Sequence, residues 1–156
     1  NISINKISLM DRENCRVMKS VLKSWFQDPK LLNLISPKTK YPFHFNDWKK
    51  AYIKSNAKTL VIKTEDWIIG QLSFNFKNCN VIHMFDLIIA PEYHRLGLAK
   101  RLISKIEDIA FNLKKRCITL NILKNNQKAI FLYEKLGYKL IQKKRSWLIY
   151  SKKIKM

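Results

Sequence analysis

Cysteine, long apolar runs and acidic side chains are all scarce in this chain of 156 residues. The three cysteines, Cys15, Cys79 and Cys117, lie far apart and lack metal-ligand spacing, which favours reduced thiols over a disulfide framework. No stretch approaches the roughly 18 apolar residues that a membrane span needs. The N-terminal stretch is charged soon after a short apolar pattern and does not resemble a signal peptide. We therefore expect a cytoplasmic protein with no membrane partner and no bound metal.

The few acidic residues are outnumbered by basic ones, 11 against 31, which gives a formal charge of +20. Such an excess is typical of proteins that neutralise phosphates, so a nucleic-acid or ribosome partner is one interpretation. Only six of the 31 basic residues are arginine, which leaves 25 lysines spread along the whole chain. Because base-reading surfaces rely on the bidentate fork of arginine, we favour a generally lysine-rich composition over a nucleic-acid interface.

The apolar pattern predicts one domain over residues 1–156, with an apolar content of 47%. A first strand is followed by a helix that Asp11 caps and that ends before Asp28-Pro29. Residues 31–46 are predicted to be irregular. The later predicted elements are a helix at 47–54, strands at 59–63 and 67–76 joined by a turn at 64–66, a buried strand at 81–89, a long helix, a strand at 117–123, a helix at 126–136 and a hairpin at 138–154. This order predicts a mixed, mostly antiparallel α/β sheet flanked by helices on both faces.

The turn at residues 94–99 joins the buried strand to the long helix. The first N–H groups of a helix lack intrahelical partners and, with the helix dipole, favour a phosphate or pyrophosphate. Gly97 and Ala99 leave the backbone open to close approach by oxygen atoms. Lys100 and Arg101 lie where cations oppose the dipole, so a bound anion would explain their placement. Alone, the segment fits an ordinary strand–helix connection equally well.

A second motif, NQKAIFLYEKLGY, occupies residues 126–138. Its Asn, Ala, Tyr and Gly spacing resembles the pattern of the GNAT superfamily of N-acetyltransferases on the helix after the fifth strand. The turn HRLGLA at residues 94–99 is similar to that superfamily's coenzyme motif, Gln/Arg-x-x-Gly-x-Gly/Ala. His94 stands where Gln or Arg is usual, and Arg95 stands where a glycine is common.

The resemblance implies an acetyl-CoA-dependent N-acetyltransferase, with acetyl-CoA as cosubstrate. The residues that it places at the coenzyme are Ile88, Ile89, His94, Arg95, Leu96, Gly97, Leu98, Ala99, Lys100, Asn126 and Tyr133. Tyr133 stands at the position of the family's general acid, from which a phenol can protonate the departing thiolate.

The general base is less well defined by the resemblance. Many relatives carry a glutamate eleven residues before the first motif position, and counting back from His94 gives His83. An imidazole is suited to accept an amine proton, so His83 is the candidate base. Asp86 is the other ionisable residue on this strand, and its side chain should face the opposite way unless a bulge intervenes. Ordered water is a third possibility.

The acceptor is expected to be the primary amine of a small molecule or a peptide. Several aromatic residues belong to the segment that walls the acceptor pocket in the family: Trp25, Tyr41, Phe43, His44, Phe45 and Trp48. Asn121 stands where the ribosomal-alanine type of protein N-terminal acetyltransferase usually has a glutamate, which argues against that subgroup. Two alternatives keep the fold without catalysis, namely a basic RNA- or ribosome-associated module and an acetyl-CoA sensor. A monomer or a homodimer is expected.

Overall fold

The computed structural model describes residues 1–65 and 67–155, which form a seven-stranded sheet with helices on both sides. The strands are β1 (Ile2–Ile7), β2 (Lys58–Thr64), β3 (Trp67–Asn78), β4 (Val81–Ile89), β5 (Cys117–Leu123), β6 (Lys139–Lys143) and β7 (Trp147–Lys153). The helices are α1 (Arg12–Trp25), α2 (Pro29–Ile35), α3 (Phe45–Lys54), α4 (Leu98–Asn112) and α5 (Gln127–Lys135). The strand order is β1-β2-β3-β4-β5-β7-β6, and β4–β5 is its single parallel pair within these residues.

The two faces of the sheet are covered by different helices. Leu60 and Ile62 of β2 pack into the apolar cluster that contains α4 and Tyr133 of α5. Val61, between them, packs into a second cluster that contains residues of α1, α2 and α3. This alternation is the period of two that a strand imposes on its side chains. The predicted mixed, mostly antiparallel sheet with helices on both faces is therefore confirmed.

The prediction of irregular chain over residues 31–46 is wrong at both ends. Asp28 and Pro29 not only end α1 but also begin α2, because the Asp28 carboxylate accepts a hydrogen bond from the N–H of Lys30 at 2.9 Å. Proline is well suited to the first helical position, where its missing N–H has no partner to lose. Helix α3 likewise begins at Phe45, ahead of the predicted residue 47. The loop between α2 and α3 is consequently limited to residues 36–44.

The β2–β3 hairpin was predicted to turn at residues 64–66. Thr64 is the last residue of β2, and Glu65 adopts a φ of 51°. Asp66 lies outside the described residues. Across the part of the chain that the structure describes, no helix is both long enough and apolar enough to cross a membrane.

Candidate active site

The central strands β4 and β5 pair over four residues only and then separate. The parallel ladder runs from Val81–Cys117 to Met84–Leu120 and stops there, although both strands continue. A cavity of about 820 Å³ opens at the point of separation. Its floor includes Phe85 of β4 and Asn121 of β5, the residues that directly follow the last pair. The gap between the two strands is therefore open to the α1–α3 face of the sheet.

A bulge in β4 decides which side chains reach this cavity. Gln71 of β3 pairs with Ile88 and Ser73 pairs with Phe85, so two residues of β4 stand opposite one residue of β3. Asp86, in the bulge, has a φ of 55°. The buried Gln71 side chain donates from Nε2 to the Asp86 carbonyl oxygen at 3.2 Å, which holds the bulged backbone.

The bulge reverses the two faces of β4. Ile82 and Met84 precede it and pack into the core beneath α4, whereas Ile88 follows it and packs into the core beneath α1–α3. As a result Asp86 lines the cavity together with His83, instead of facing the opposite side. The predicted burial of the strand at 81–89 is also incomplete, because His83, Phe85 and Asp86 at the cavity are only partly buried.

The Asp86 carboxyl titrates near neutrality. Burial raises its pKa to about 7, and the Trp48 indole acts in the opposite direction. A carboxyl group with a pKa near the working pH is matched to general-base chemistry, because it is ionised in part and still basic. A carboxyl group with a raised pKa thus lies where β4 and β5 separate.

His83 lies in the same cavity but is a weaker base. Burial lowers the pKa of its imidazole to about 4, and the charges of Lys77 and Lys38 add to the effect. Its Nδ1 lies 2.9 Å from Oγ1 of Thr119, the residue of β5 with which His83 pairs in the parallel ladder. The ring is therefore neutral at pH 7, and the hydroxyl contact ties it to the neighbouring strand.

Tyr133 lies on the other side of the sheet from His83. It projects from α5 into the core beneath α4, is 4% exposed, and contacts Tyr138 edge-on at a centroid distance of 5.4 Å. Burial raises the pKa of its phenol, so the group keeps its proton at neutral pH. No hydrogen-bond partner of its hydroxyl occurs among residues 1–65 and 67–155. The phenol is thus a proton donor without a competing acceptor in the described chain.

The turn before α4 presents a row of free backbone donors. Within the described chain, none of the six N–H groups from Arg95 to Lys100 donates to a protein acceptor, and the first helical bond is Arg101 N–H to Gly97 O at 3.2 Å. Arg95 and Gly97 both have positive φ, 65° and 74°. Successive N–H groups in such a turn form an anion-binding concavity. A Cβ at Gly97 would meet nothing within 4 Å, so an anion has room there.

The two departures from the coenzyme motif have local structural explanations. The His94 ring donates from Nε2 to the Ile89 carbonyl oxygen at 2.7 Å, which ties the turn to the end of β4. The position of Arg95 favours glycine because its φ is positive, and a larger residue there is strained by about 1–2 kcal/mol. Both side chains are exposed.

The remaining residues predicted to contact the coenzyme differ in accessibility. Leu96 is exposed in the turn, Leu98 is buried beneath it, and Ala99 and Lys100 form the first turn of α4. The Ile88 side chain is buried beneath α1–α3, so only its backbone can take part in binding. Asn126 caps α5, where its Oδ1 accepts a hydrogen bond from Ala129 N–H at 3.2 Å. That cap accounts for an asparagine at this position without a ligand.

The cavity walls include only part of the predicted aromatic set. Tyr41, His44 and Trp48 line the cavity. Phe43 packs on Phe26 instead, at a centroid distance of 5.0 Å, and Phe45 stacks on Trp48. The aromatic residues that do not line the cavity are thus anchors for α1 and α3. The lysines of the loop before α3, and Gln71 behind Asp86, were missed because neither an exposed lysine nor a lone polar residue in a strand identifies a cavity.

Gly97 provides a direct test of the donor turn. We expect Gly97→Ala to lose stability, by about 1–2 kcal/mol, because of its positive φ. It should also weaken coenzyme A binding by roughly tenfold or more, as expected when hydrogen bonds to charged groups are lost. Gly137→Ala is the control, since its φ is 93° and an added Cβ meets only the Lys152 side chain. Calorimetry should show normal coenzyme affinity for that control, and equal weakening in both variants would contradict a site at Gly97.

Comparison with known proteins places this geometry in a family. The model of the acetyltransferase (GNAT) family matches residues 20–138. The chain belongs to the acetyltransferase (GNAT) family. The PaiA N-acetyltransferase of Thermoplasma acidophilum, solved in complex with coenzyme A, has the same fold with a TM-score of 0.74, 17% identity and coverage of 98% of this chain and 99% of that one.

Two curated relatives of this GNAT acetyltransferase are matched over very different shares of their lengths. The spermidine N(1)-acetyltransferase of Escherichia coli K12 is 28% identical over 145 residues, which cover 85% of this chain and 72% of that protein. The catalytic subunit NAA20 of the N-terminal acetyltransferase B complex of Arabidopsis thaliana is 40% identical over 57 residues, 36% of this chain and only 33% of that protein. The predicted family and enzyme class are confirmed. The roles of the individual site residues stay predictions.

Proposed function

We propose that this protein transfers the acetyl group of acetyl-CoA to a primary amine that binds in the cavity. One observation carries the proposal: the gap between β4 and β5 has the free donor turn at one end of β4 and a cavity with a titrating carboxyl beside it. The turn suits a pyrophosphate, and the gap suits an extended chain that reaches toward Asp86. Acetyl-CoA, when bound there, supplies the acetyl thioester.

The reaction needs two proton transfers, and we assign them to residues on opposite sides of the sheet. The Asp86 carboxylate accepts the proton that the amine loses as its nitrogen forms a bond to the acetyl carbon. The Tyr133 phenol gives its proton to the sulfur as the carbon–sulfur bond breaks. Asp86 suits the base better than His83, because the pKa values are about 7 and about 4 respectively. His83 then holds the cavity floor through Thr119.

The acceptor amine is tested by an acetylation screen. Purified protein with acetyl-CoA and amino sugars, polyamines, amino acids or peptides with free N-termini should release the coenzyme thiol with at least one class. The names of the two relatives point to acceptors of very different shape, spermidine and an N-terminus, so the screen needs both. Mass spectrometry of the product identifies the acetylated nitrogen. Tight coenzyme binding without transfer to any amine would favour the sensor hypothesis instead.

A further inference from the structure

We propose that the cavity selects acceptors that carry an anionic group, a carboxylate or a phosphate, besides the amine that is acetylated. This rests on the proposed function, because it assigns the acceptor class of the same cavity. It is carried by the charges around the cavity: the carboxyl groups Asp47 and Asp86, and the lysines Lys38 and Lys40. A cavity lined by both signs fits a ligand that also carries both signs.

The two lysines are available to a ligand. They lie in the loop between α2 and α3, and both are exposed. Among residues 1–65 and 67–155 the ion pairs within 4.0 Å are Arg16–Glu13 and Lys152–Glu107, so neither Lys38 nor Lys40 is engaged by a carboxylate. Their ammonium groups can therefore bind a carboxylate or phosphate without breaking a protein contact.

The positive charge extends to the floor of the cavity. Lys38 lowers the pKa of His83 by its charge, and Lys77 does the same from β3, so two cations act on that part of β4. His83 itself is neutral and does not add a third charge. An anion seated beside Lys38 would be stabilised by this positive field.

The amine of the acceptor would bind next to Asp86, which lies in the bulge where β4 leaves β5. It follows His83 by three positions along β4, and three positions along a strand span about 10 Å. The amine and the anion of one small molecule can cover that distance. Trp48 and Trp147 line the cavity and offer apolar surface to the hydrocarbon that joins the two groups.

Polyamines are disfavoured by the same charges. A molecule with several cationic groups and no anion meets the unpaired lysines of the cavity loop and a chain whose formal charge is +20. Like charges across a binding surface reduce both affinity and the rate of encounter. A zwitterionic or amino-phosphate acceptor avoids this penalty, because its anion faces the lysines.

Matched pairs of acceptors test the proposal by calorimetry on the protein saturated with coenzyme A. L-lysine is compared with cadaverine, which lacks the carboxylate, and glucosamine 6-phosphate with glucosamine, which lacks the phosphate. In at least one pair the anionic member should bind roughly 10- to 100-fold more tightly, the range for hydrogen bonds to charged groups. The selective pair identifies the anion as carboxylate or phosphate. Equal affinity within both pairs, tighter binding of the amine without an anion, or no binding by any member would overturn the proposal.

Two double variants distinguish a local effect of Lys38 and Lys40 from the overall positive charge of the chain. Lys38→Gln with Lys40→Gln should reduce the affinity ratio of the selective pair to near one. Lys30→Gln with Lys50→Gln removes the same charge from exposed positions on α2 and α3 that do not line the cavity, and should leave the ratio unchanged. An equal fall of the ratio in both double variants would refute a local anion site. Acetyl transfer to an amine without an anion would still support the proposed function, so the two failures are distinguishable.

Discussion

Replacing Tyr133 by phenylalanine should reduce kcat for acetyl transfer by roughly 10²- to 10⁴-fold, the usual contribution of a positioned general acid. The substitution removes only the phenolic oxygen, and that oxygen has no partner among the described residues. The aromatic contact with Tyr138 and the packing beneath α4 both remain. Neither the free energy of unfolding nor the affinity for coenzyme A should therefore change appreciably.

Tyr150 supplies the matched control for this variant. Its hydroxyl is also on a buried tyrosine, but it donates to Glu134 at 2.8 Å and is not placed at the proposed reaction. Tyr150→Phe should cost about 1 kcal/mol of stability, the typical worth of one hydrogen bond, and leave kcat unchanged. A thiol-release assay measures kcat for both variants, and urea denaturation measures their free energies of unfolding. Full turnover by Tyr133→Phe would show that another group protonates the sulfur.

The second large effect is expected at Asp86. Asp86→Asn should reduce kcat by roughly 10²- to 10⁴-fold, because an amide cannot accept the amine proton. Asparagine is as well suited as aspartate to the positive φ of the bulge, so the backbone is retained. The wild-type rate should rise with pH through about 7 as the carboxyl ionises, in addition to the rise caused by deprotonation of the acceptor amine. The variant should lack the step near pH 7.

His83 provides the control for that pH profile. The pKa of its imidazole is lowered to about 4, so it does not titrate near neutrality. In His83→Gln the step near pH 7 should persist, with any loss of rate arising from the lost contact with Thr119. Disappearance of the step in this variant, with its retention in Asp86→Asn, would assign the base to His83 and not to Asp86.

The stability of the protein should depend on Asp86 in a defined direction. Its native pKa of about 7 lies above the ordinary value of 3.8, so the native state keeps the proton over a range in which the unfolded chain loses it. The stability that this retained proton contributes is fully present below pH 4 and is lost as the pH rises through about 7. Asparagine never ionises, so the free energy of unfolding of Asp86→Asn should exceed that of the wild type by about 4 kcal/mol at pH 8 and by little at pH 4, at 1.36 kcal/mol per pKa unit. Urea denaturation at the two pH values measures the difference.

Local signals in the sequence predicted most elements of the fold. The helix beginning at Asp11 and the apolar stripe of α4 were predicted because capping residues and helical periodicity act over a few residues. Helix α2 was missed because Asp28-Pro29 was interpreted only as an end, although the same pair also favours a start. The turn before α4 was likewise predictable, since a glycine before a helix has its effect on the local backbone alone.

The sequence by itself determined the family and the left-handed turn at Gly97, because motif spacing and backbone conformation are local properties. Only the tertiary structure decided which ionisable groups share the cavity. Asp86 and His83 were expected on opposite faces unless a bulge intervened, and a bulge held by Gln71 from the neighbouring strand does bring them together. The packing of the α2–α3 loop over the sheet adds Lys38 and Lys40 to the same cavity. Both arrangements depend on contacts between residues far apart in the chain, and such contacts leave no periodic signal in the sequence.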